Sequence, residues 1–261
     1  MNGLLCYFSG TGNTKWIADR LCQELEMSGY HAELTNIEKV NSLDLRGYDF
    51  LIIGTPVYAE APPPLVEDFV RRLPMNHGII QCMVYSNQGA VTPCTVKRLS
   101  RILSAKGYPI TMEALLRMPN NYYFGAGIRP TAAKIDRYLR AAEQQIHEIA
   151  ITFVAGTRRL SSASPLQLGY GKIVASVFKG MVPRLARKLM AGPECNGCGL
   201  CARRCPRHNI ELVNQRAIFA GSCMLCTRCV HICPVNAIRY DGKKVEQTQR
   251  SIIQTLEPAG R

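Results

Sequence analysis

Two cysteine runs written in one frame constrain this chain more than any other feature. CNGCGLCARRCP (Cys195–Pro206) and CMLCTRCVHICP (Cys223–Pro234) both read C-x2-C-x2-C-x3-C-P, 28 residues apart, and the repeat extends to Ile210 and Ile238. Thiols spaced this closely imply cross-links or metal, and the cell compartment decides between them.

Met1–Leu5 runs straight into an apolar segment with no charged leader, cleavage site or twin arginine, and no uncharged apolar run reaches membrane-spanning length. This predicts a cytoplasmic chain without a transmembrane segment. A reducing compartment disfavours disulfides, so the clustered cysteines point to metal or redox chemistry. A tight turn that returns the chain every third residue converges three soft thiolates on one face of an iron–sulfur cube, and the proline turn carries the fourth toward a second cube. The expectation is two [4Fe-4S] clusters, one on Cys195, Cys198, Cys201 and Cys233, the other on Cys223, Cys226, Cys229 and Cys205. A zinc ribbon built on two C-x2-C pairs is the alternative, and it leaves four cysteines and both prolines unexplained. The double frame resembles bacterial two-cluster ferredoxins over about residues 190–241, which implies a small α+β domain with pseudo-twofold packing. Ile210, Ile218, Val235 and Ile238 are expected to shield the clusters from water.

Before the cysteines, short apolar runs alternate with amphipathic segments, the pattern of a parallel sheet covered by helices. Strands are predicted at Leu4–Phe8, His31–Ile37, Phe50–Gly54, Ile79–Ser86 and Tyr108–Met118. Helices are predicted at Asn13–Met27, Pro64–Leu73, Pro93–Lys106 and Thr131–Val154. The first strand–helix turn reads SGTGNT, Ser9 to Thr14. Its small residues let the backbone wrap an anion, with amides and the hydroxyls of Ser9, Thr11 and Thr14 donating at a helix N-terminus. Neither commoner phosphate motif fits: G-x4-G-K-[ST] is absent, and the third glycine of G-x-G-x-x-G is replaced by Lys15. Two further loops, GTPVYAEAPPP after the third strand and YSNQGA after the fourth, leave the same carboxyl edge, where open α/β sheets bind ligands.

Over about residues 1–155 these loops resemble those of flavodoxins. The resemblance implies a doubly wound five-stranded parallel sheet of order 2-1-3-4-5 and an FMN site. Ser9, Gly10, Thr11, Gly12, Asn13 and Thr14 would hold the phosphate. Thr55, Pro56, Val57 and Tyr58 would line one side of the isoalloxazine, with Tyr58 stacking, and Ser86, Asn87, Gln88 and Gly89 would meet its polar edge. Trp16 is expected in helix-to-sheet packing, and Cys6, Cys22, Cys82 and Cys94 as buried small hydrophobes. After the fifth strand, MPNNYYFGAGIRP is longer than a connection requires. Tyr122 and Tyr123 in it are candidates for gating a substrate or for docking the iron–sulfur domain.

Residues 156–192 form a basic, partly helical connector in which Val174, Val177, Phe178, Met181, Leu185 and Leu189 share a face and Pro183 is expected to kink the helix. The domain at 193–241 is followed by a polar tail, 242–261. The formal charge of +13 raises a nucleic-acid reading. Two clusters and a flavin phosphate bring it to about +7, and no recognition helix or stacking pattern accompanies the charge, so no nucleic-acid partner is expected. An acidic redox protein or peripheral membrane contact explains the basic connector at least as well. The whole chain resembles the flavodoxin–ferredoxin fusion proteins of anaerobic and facultative bacteria and archaea. That implies electron transfer between a one-electron and a two-electron cofactor, with a ferredoxin-type donor or acceptor. The alternative is an FMN-dependent reductase of a small organic acceptor bound near Tyr58 and Tyr122.

Overall fold

Strands buried on both faces are written as near-continuous apolar runs. β1 (Asn2–Tyr7) follows this rule from Gly3 onward. α1 (Asn13–Met27) then presents Ile17, Leu21 and Leu25 at four-residue intervals to the interior. Each such side chain contributes roughly 1.5–3 kcal/mol on burial. Next come β2 (His31–Asn36), β3 (Phe50–Pro56), α2 (Pro64–Arg72), β4 (Gln81–Gln88), α3 (Cys94–Ala105), β5 (Ile110–Arg117) and α4 (Ala132–Val154). β3 and β4 are buried almost throughout, whereas edge strand β2 is mostly exposed or half-buried. The five strands pair in parallel in the order β2-β1-β3-β4-β5. Because β2 and β3 lie on opposite sides of β1, right-handed crossovers place helices on both faces and leave a switch point between β1 and β3.

The computed structural model describes residues 1–40, 42–77 and 80–256. The start expected for the fourth strand, Ile79, lies outside the described residues, as do residues 257–261 of the expected tail. By packing, the chain divides into two compact units. The first comprises residues 1–9, 13–119 and 133–175, and the second comprises 10–12, 120–132 and 176–261. α5 (Pro165–Ala186) contains Pro183 and contributes residues to both units. In the first unit the start of the connector is ordered: Arg159 N–H donates to Thr111 O at 2.9 Å and Arg159 O accepts from Glu113 N–H at 2.8 Å. The open edge of β5 is thereby covered by backbone.

The second unit continues with β6 (Leu189–Ala191), α6 (Leu200–Arg203), β7 (Ile210–Val213), β8 (Arg216–Phe219), α7 (Arg228–Ile232), β9 (Ile238–Tyr240), β10 (Lys243–Lys244) and α8 (Arg250–Gln254). The sequence repeat is also a backbone repeat. α6 and α7 start 28 residues apart, as do β7 and β9. Left-handed residues recur at the same spacing: Gly197 and Leu225 at φ +69° and +58°, Gly199 and Thr227 at +71° and +57°, His208 and Asn236 at +47° and +49°. The β7–β8 and β9–β10 hairpins turn on Asn214–Gln215 and Asp241–Gly242, with both residues of each pair at positive φ, as two-residue turns of this hand require.

Ile210 and Ile238 are buried as expected, but Ile218 and Val235 are exposed. Along β8 side chains alternate, so Ala217 faces in and its neighbour Ile218 faces out. Leu225, Val230 and Ala237 supply the missing apolar cover. The segment after Lys243 is not a loose polar tail, because Val245, Ile252 and Ile253 are buried. The expected single apolar face of α5 also divides. Val174, Phe178 and Leu185 are half-buried, Val177 and Met181 are exposed, and Leu189 belongs to β6. The aromatic loop packs within the second unit, with Tyr122, Tyr123 and Phe124 against its core.

Candidate cofactor sites

Backbone turns at Gly197, Gly199, Leu225 and Thr227 fold each cysteine run tightly. Cys205, Cys223, Cys226 and Cys229 line one cavity, together with Ile210, Phe219 and Met224. Burial pushes the Cys226 thiol up to about 12 against the lowering charge of Arg228, and burial followed by repulsion from Cys226, Cys223, Cys201 and Cys205 raises Cys229. Burial also raises Cys201, to about 11, with Cys233, Cys195 and Cys198 as its charged neighbours. Such thiols give up their protons when a metal binds. Three sulfurs accept backbone N–H groups: Cys205 from Asn209 at 3.3 Å, Cys223 from Leu225 at 3.3 Å and Cys233 from Ala237 at 3.2 Å. Donors of this kind stabilise a thiolate and tune a cluster's potential. Among the described residues no three His, Cys, Asp or Glu side chains converge tightly enough for a single ion. The donor chemistry, all sulfur with N–H support, fits iron–sulfur ligation.

Asn209 gave no signal in the sequence beyond standing just ahead of the repeated isoleucine. It is buried, and besides its bond to Cys205 its Oδ1 accepts from Ser222 N–H at 2.6 Å, tying the end of one cysteine run to the start of the next. His231 was likewise missed. A carbonyl can only accept, so the 2.7 Å contact of Nε2 with Asn121 O places the ring proton on Nε2, and Nδ1 accepts from Thr248 N–H at 3.4 Å. Gln247 Nε2 closes the end of α7, donating to Val230 O at 2.8 Å and Cys233 O at 2.7 Å.

In the first unit, the ends of β1, β3 and β4 lie at one carboxyl edge of the sheet, and the loops after β3 and β4 leave from it. Several loop residues are in fact strand ends: Thr55 pairs with Ser86 and Pro56 with Asn87, while Gln88 pairs with Arg117. β4 runs on because Ser86 and Asn87 keep ladder partners on β3 and β5, whereas Thr55 and Pro56 pair with β4 alone. Beyond them Tyr58 and Ala61 close a tight turn by two backbone bonds, with Ala59 and Glu60 at positive φ, and Tyr58 is half-buried. Gln88 Nε2 donates to Thr92 Oγ1 at 3.0 Å, whose own hydroxyl donates to Glu60 Oε2, so the loops after β3 and β4 are tied together. Gly89 is half-buried at the end of β4.

The phosphate-loop candidates are held from several directions. Thr14 Oγ1 donates to Asn87 Oδ1 at 2.7 Å and Thr14 O accepts from Tyr85 Oη at 2.9 Å, pinning the first turn of α1 to β4. The Thr14 hydroxyl proton, expected to serve a phosphate, is therefore engaged within the protein. Ser9 and Asn13 are buried, and Asn13 Oδ1 has no hydrogen-bond partner among the described residues. α1 has no acidic residue in its first turn to offset the positive end of its dipole. Gly10–Gly12 group with the second unit, where Gly10 O accepts from Arg228 Nε at 3.2 Å and Thr11 Oγ1 accepts from Asn121 Nδ2 at 2.7 Å. Gly12 stands at φ +98°, and a Cβ there would lie 2.7 Å from Ile252 O, so only glycine fits. Trp16 is buried under the Arg20 guanidinium, 3.7 Å from its ring centre, a packing role as expected. Cys6, Cys22, Cys82 and Cys94 are buried, and burial pushes Cys6 and Cys22 up to about 12. A helix end without acidic residues and an acceptor awaiting a donor fit a phosphorylated, hydroxyl-bearing ligand such as FMN.

The family model described as "Flavodoxin domain" matches residues 4–90, and that described as "4Fe-4S binding domain" matches residues 217–239. This chain joins a flavodoxin domain to a 4Fe-4S binding domain. The second match contains Cys223, Cys226, Cys229 and Cys233, and the earlier run lies outside it. A flavodoxin of Maridesulfovibrio salexigens is 34% identical over 68 residues, 26% of this chain and 47% of that protein, so the chain spans about half of that relative's length. Among solved structures, the Streptococcus pneumoniae TIGR4 flavodoxin is 20% identical over 58% of this chain and 99% of its own, with a TM-score of 0.40. The two-electron reduced Megasphaera elsdenii flavodoxin is 20% identical over 55% of this chain and 99% of its own, with a TM-score of 0.41. The fold class of the flavodoxin domain rests on its own sheet order, five parallel strands as β2-β1-β3-β4-β5. No helix among the described residues is long and apolar enough to cross a membrane.

Proposed function

We propose that this chain converts between one-electron and two-electron carriers. Two [4Fe-4S] clusters, one on Cys195, Cys198, Cys201 and Cys233 and one on Cys205, Cys223, Cys226 and Cys229, exchange electrons with FMN in the flavodoxin domain. Bound FMN supplies a two-electron site and each cluster a one-electron site. The observation that carries this reading is that Cys205 of the first run and Cys223, Cys226 and Cys229 of the second line a single cavity. On the flavin side, Ser9, Thr11 and the amides at the start of α1 would take the phosphate. Thr55–Tyr58 and Ser86–Gly89 would hold the ring, with Tyr58 against its face. The first turn of α1, which carries no acidic residue, would attract the phosphate, and the pinning of Thr14 to β4 would keep that turn in register with the ring loops.

Anaerobic reconstitution followed by iron, sulfide and flavin analysis tests this. About eight irons, eight sulfides and one FMN per chain are expected. Retention of zinc instead, one cluster only, or no flavin would sink the proposal.

A further inference from the structure

α5 is apolar on two sides, and only one of them is used. Phe178, Val182 and Leu185 pack against the core of the second unit. On the other side Leu166, Tyr170, Ile173, Val177 and Met181 recur at three- and four-residue steps and are exposed by 84%, 66%, 64%, 57% and 47%. Helical spacing of this kind places five bulky side chains in one row about 22 Å long. Apolar residues scattered singly on a surface need no explanation, but a continuous row marks an interaction site.

The surrounding charge selects the occupant. No acidic residue occurs between Glu148 and Glu194. Lys172, Lys179, Arg184 and Arg187 are all exposed on the same helix or at its end, with Arg158 and Arg159 just before it. We propose that α5 lies in the headgroup region of an anionic bilayer, with the Leu166–Met181 row dipping toward the acyl chains and Arg184, in line with that row, and Arg187 just after it reaching lipid phosphates. A folded protein partner requires groups that set its orientation, and this row holds neither an acidic residue nor a side-chain amide. A fluid anionic surface requires only apolar depth and positive charge. Since no helix of the described residues can span a bilayer, attachment is peripheral. This inference does not depend on which cofactors the chain carries.

Co-sedimentation of the full chain with vesicles tests it, using phosphatidylcholine alone against phosphatidylcholine mixed with phosphatidylglycerol. Binding at least about tenfold tighter to the anionic vesicles is expected, weakening steeply as salt rises. The double variant Ile173→Glu/Val177→Glu should abolish binding with an unchanged circular dichroism spectrum, since both positions are exposed. Arg184→Glu/Arg187→Glu should remove the preference for anionic lipid. The proposal is overturned if the wild type ignores anionic vesicles or if binding survives both double variants. It is overturned equally if sedimentation velocity shows the row buried in a dimer that Ile173→Glu/Val177→Glu dissociates.

Discussion

Leu225 holds the left-handed backbone conformation, at φ +58°, that Gly197 holds at +69° one repeat earlier. The turn geometry is thus common to both cysteine runs although only one has the residue that adopts it freely. A non-glycine residue there costs roughly 1–2 kcal/mol. Leu225 is retained in that strained state while its side chain is buried in the core of the second unit.

The two glycines of the first run should therefore respond differently to alanine. At Gly197 a Cβ would lie 2.7 Å from the backbone oxygen of Gln215, which cannot swing aside, whereas at Gly199 the nearest atom is the flexible Arg203 guanidinium at 2.8 Å. Gly197→Ala is expected to cost about 3 kcal/mol and Gly199→Ala about 1 kcal/mol. Urea unfolding followed by loss of cluster absorbance measures both, and equal costs would refute the argument.

Loss of one cysteine should remove the cluster of the opposite run where the two runs cross. Cys233→Ala is expected to strip the group shared with Cys195, Cys198 and Cys201, leaving about four irons, and Cys205→Ala the group shared with Cys223, Cys226 and Cys229. Paramagnetic resonance of the reduced variants distinguishes the two, and identical residual spectra would contradict the crossed assignment.

Gly54 in β3 leaves room for the Tyr85 ring, since a Cβ there would lie 2.3 Å from it. Tyr85 Oη in turn donates to Thr14 O at the start of α1, at 2.9 Å. Gly54→Ala is expected to push the ring aside, costing about 1–3 kcal/mol and weakening FMN binding at least about tenfold, equivalent to about 1.4 kcal/mol. Fluorescence titration with FMN reads the affinity. Tyr85→Phe, which keeps the ring and drops the bond, should lie between the variant and the wild type.

Glu113 ties the connector to β5. Its Oε2 accepts from Lys97 Nζ at 2.8 Å and from Ser161 N–H at 2.9 Å, and the carboxylate is buried. Burial alone would raise this carboxyl, but the bonds from Lys97 and Ser161 and the Lys97 charge outweigh it and hold the group below its ordinary 4.5. The depressed carboxyl contributes stability that is complete above about pH 5 and is lost as pH falls through its folded value. Glu113→Gln should cost about 1–2 kcal/mol at neutral pH, and the gap to the wild type should close in acid. Trp16, the one tryptophan, lies in the first unit and reports its unfolding by fluorescence. A gap independent of pH would contradict this assignment.

Much of the architecture was legible in the residues. The helix predicted at Asn13–Met27 has those bounds in the structure, and that predicted at Pro64–Leu73 ends one residue earlier. Both carry a single apolar stripe, so period and burial agree. The doubled cysteine frame foretold a doubled backbone, down to left-handed residues recurring 28 positions apart, because a repeated turn needs a repeated conformation.

What periodicity could not decide was which of two competing surfaces is covered. α5 carries apolar residues on two sides, so its pattern alone merged Val177 and Met181 with the buried Phe178 side. Ile218 reads as core by composition, yet the hairpin register turns it outward and Ala217 inward. Ile252 and Ile253 stand in a polar stretch, and their burial depends on groups distant in sequence. Sequence determined the local elements and the ligand-bearing motifs, since these follow from spacing along the chain. Tertiary structure decided burial, since whether a side chain meets water depends on which remote segment lies against it.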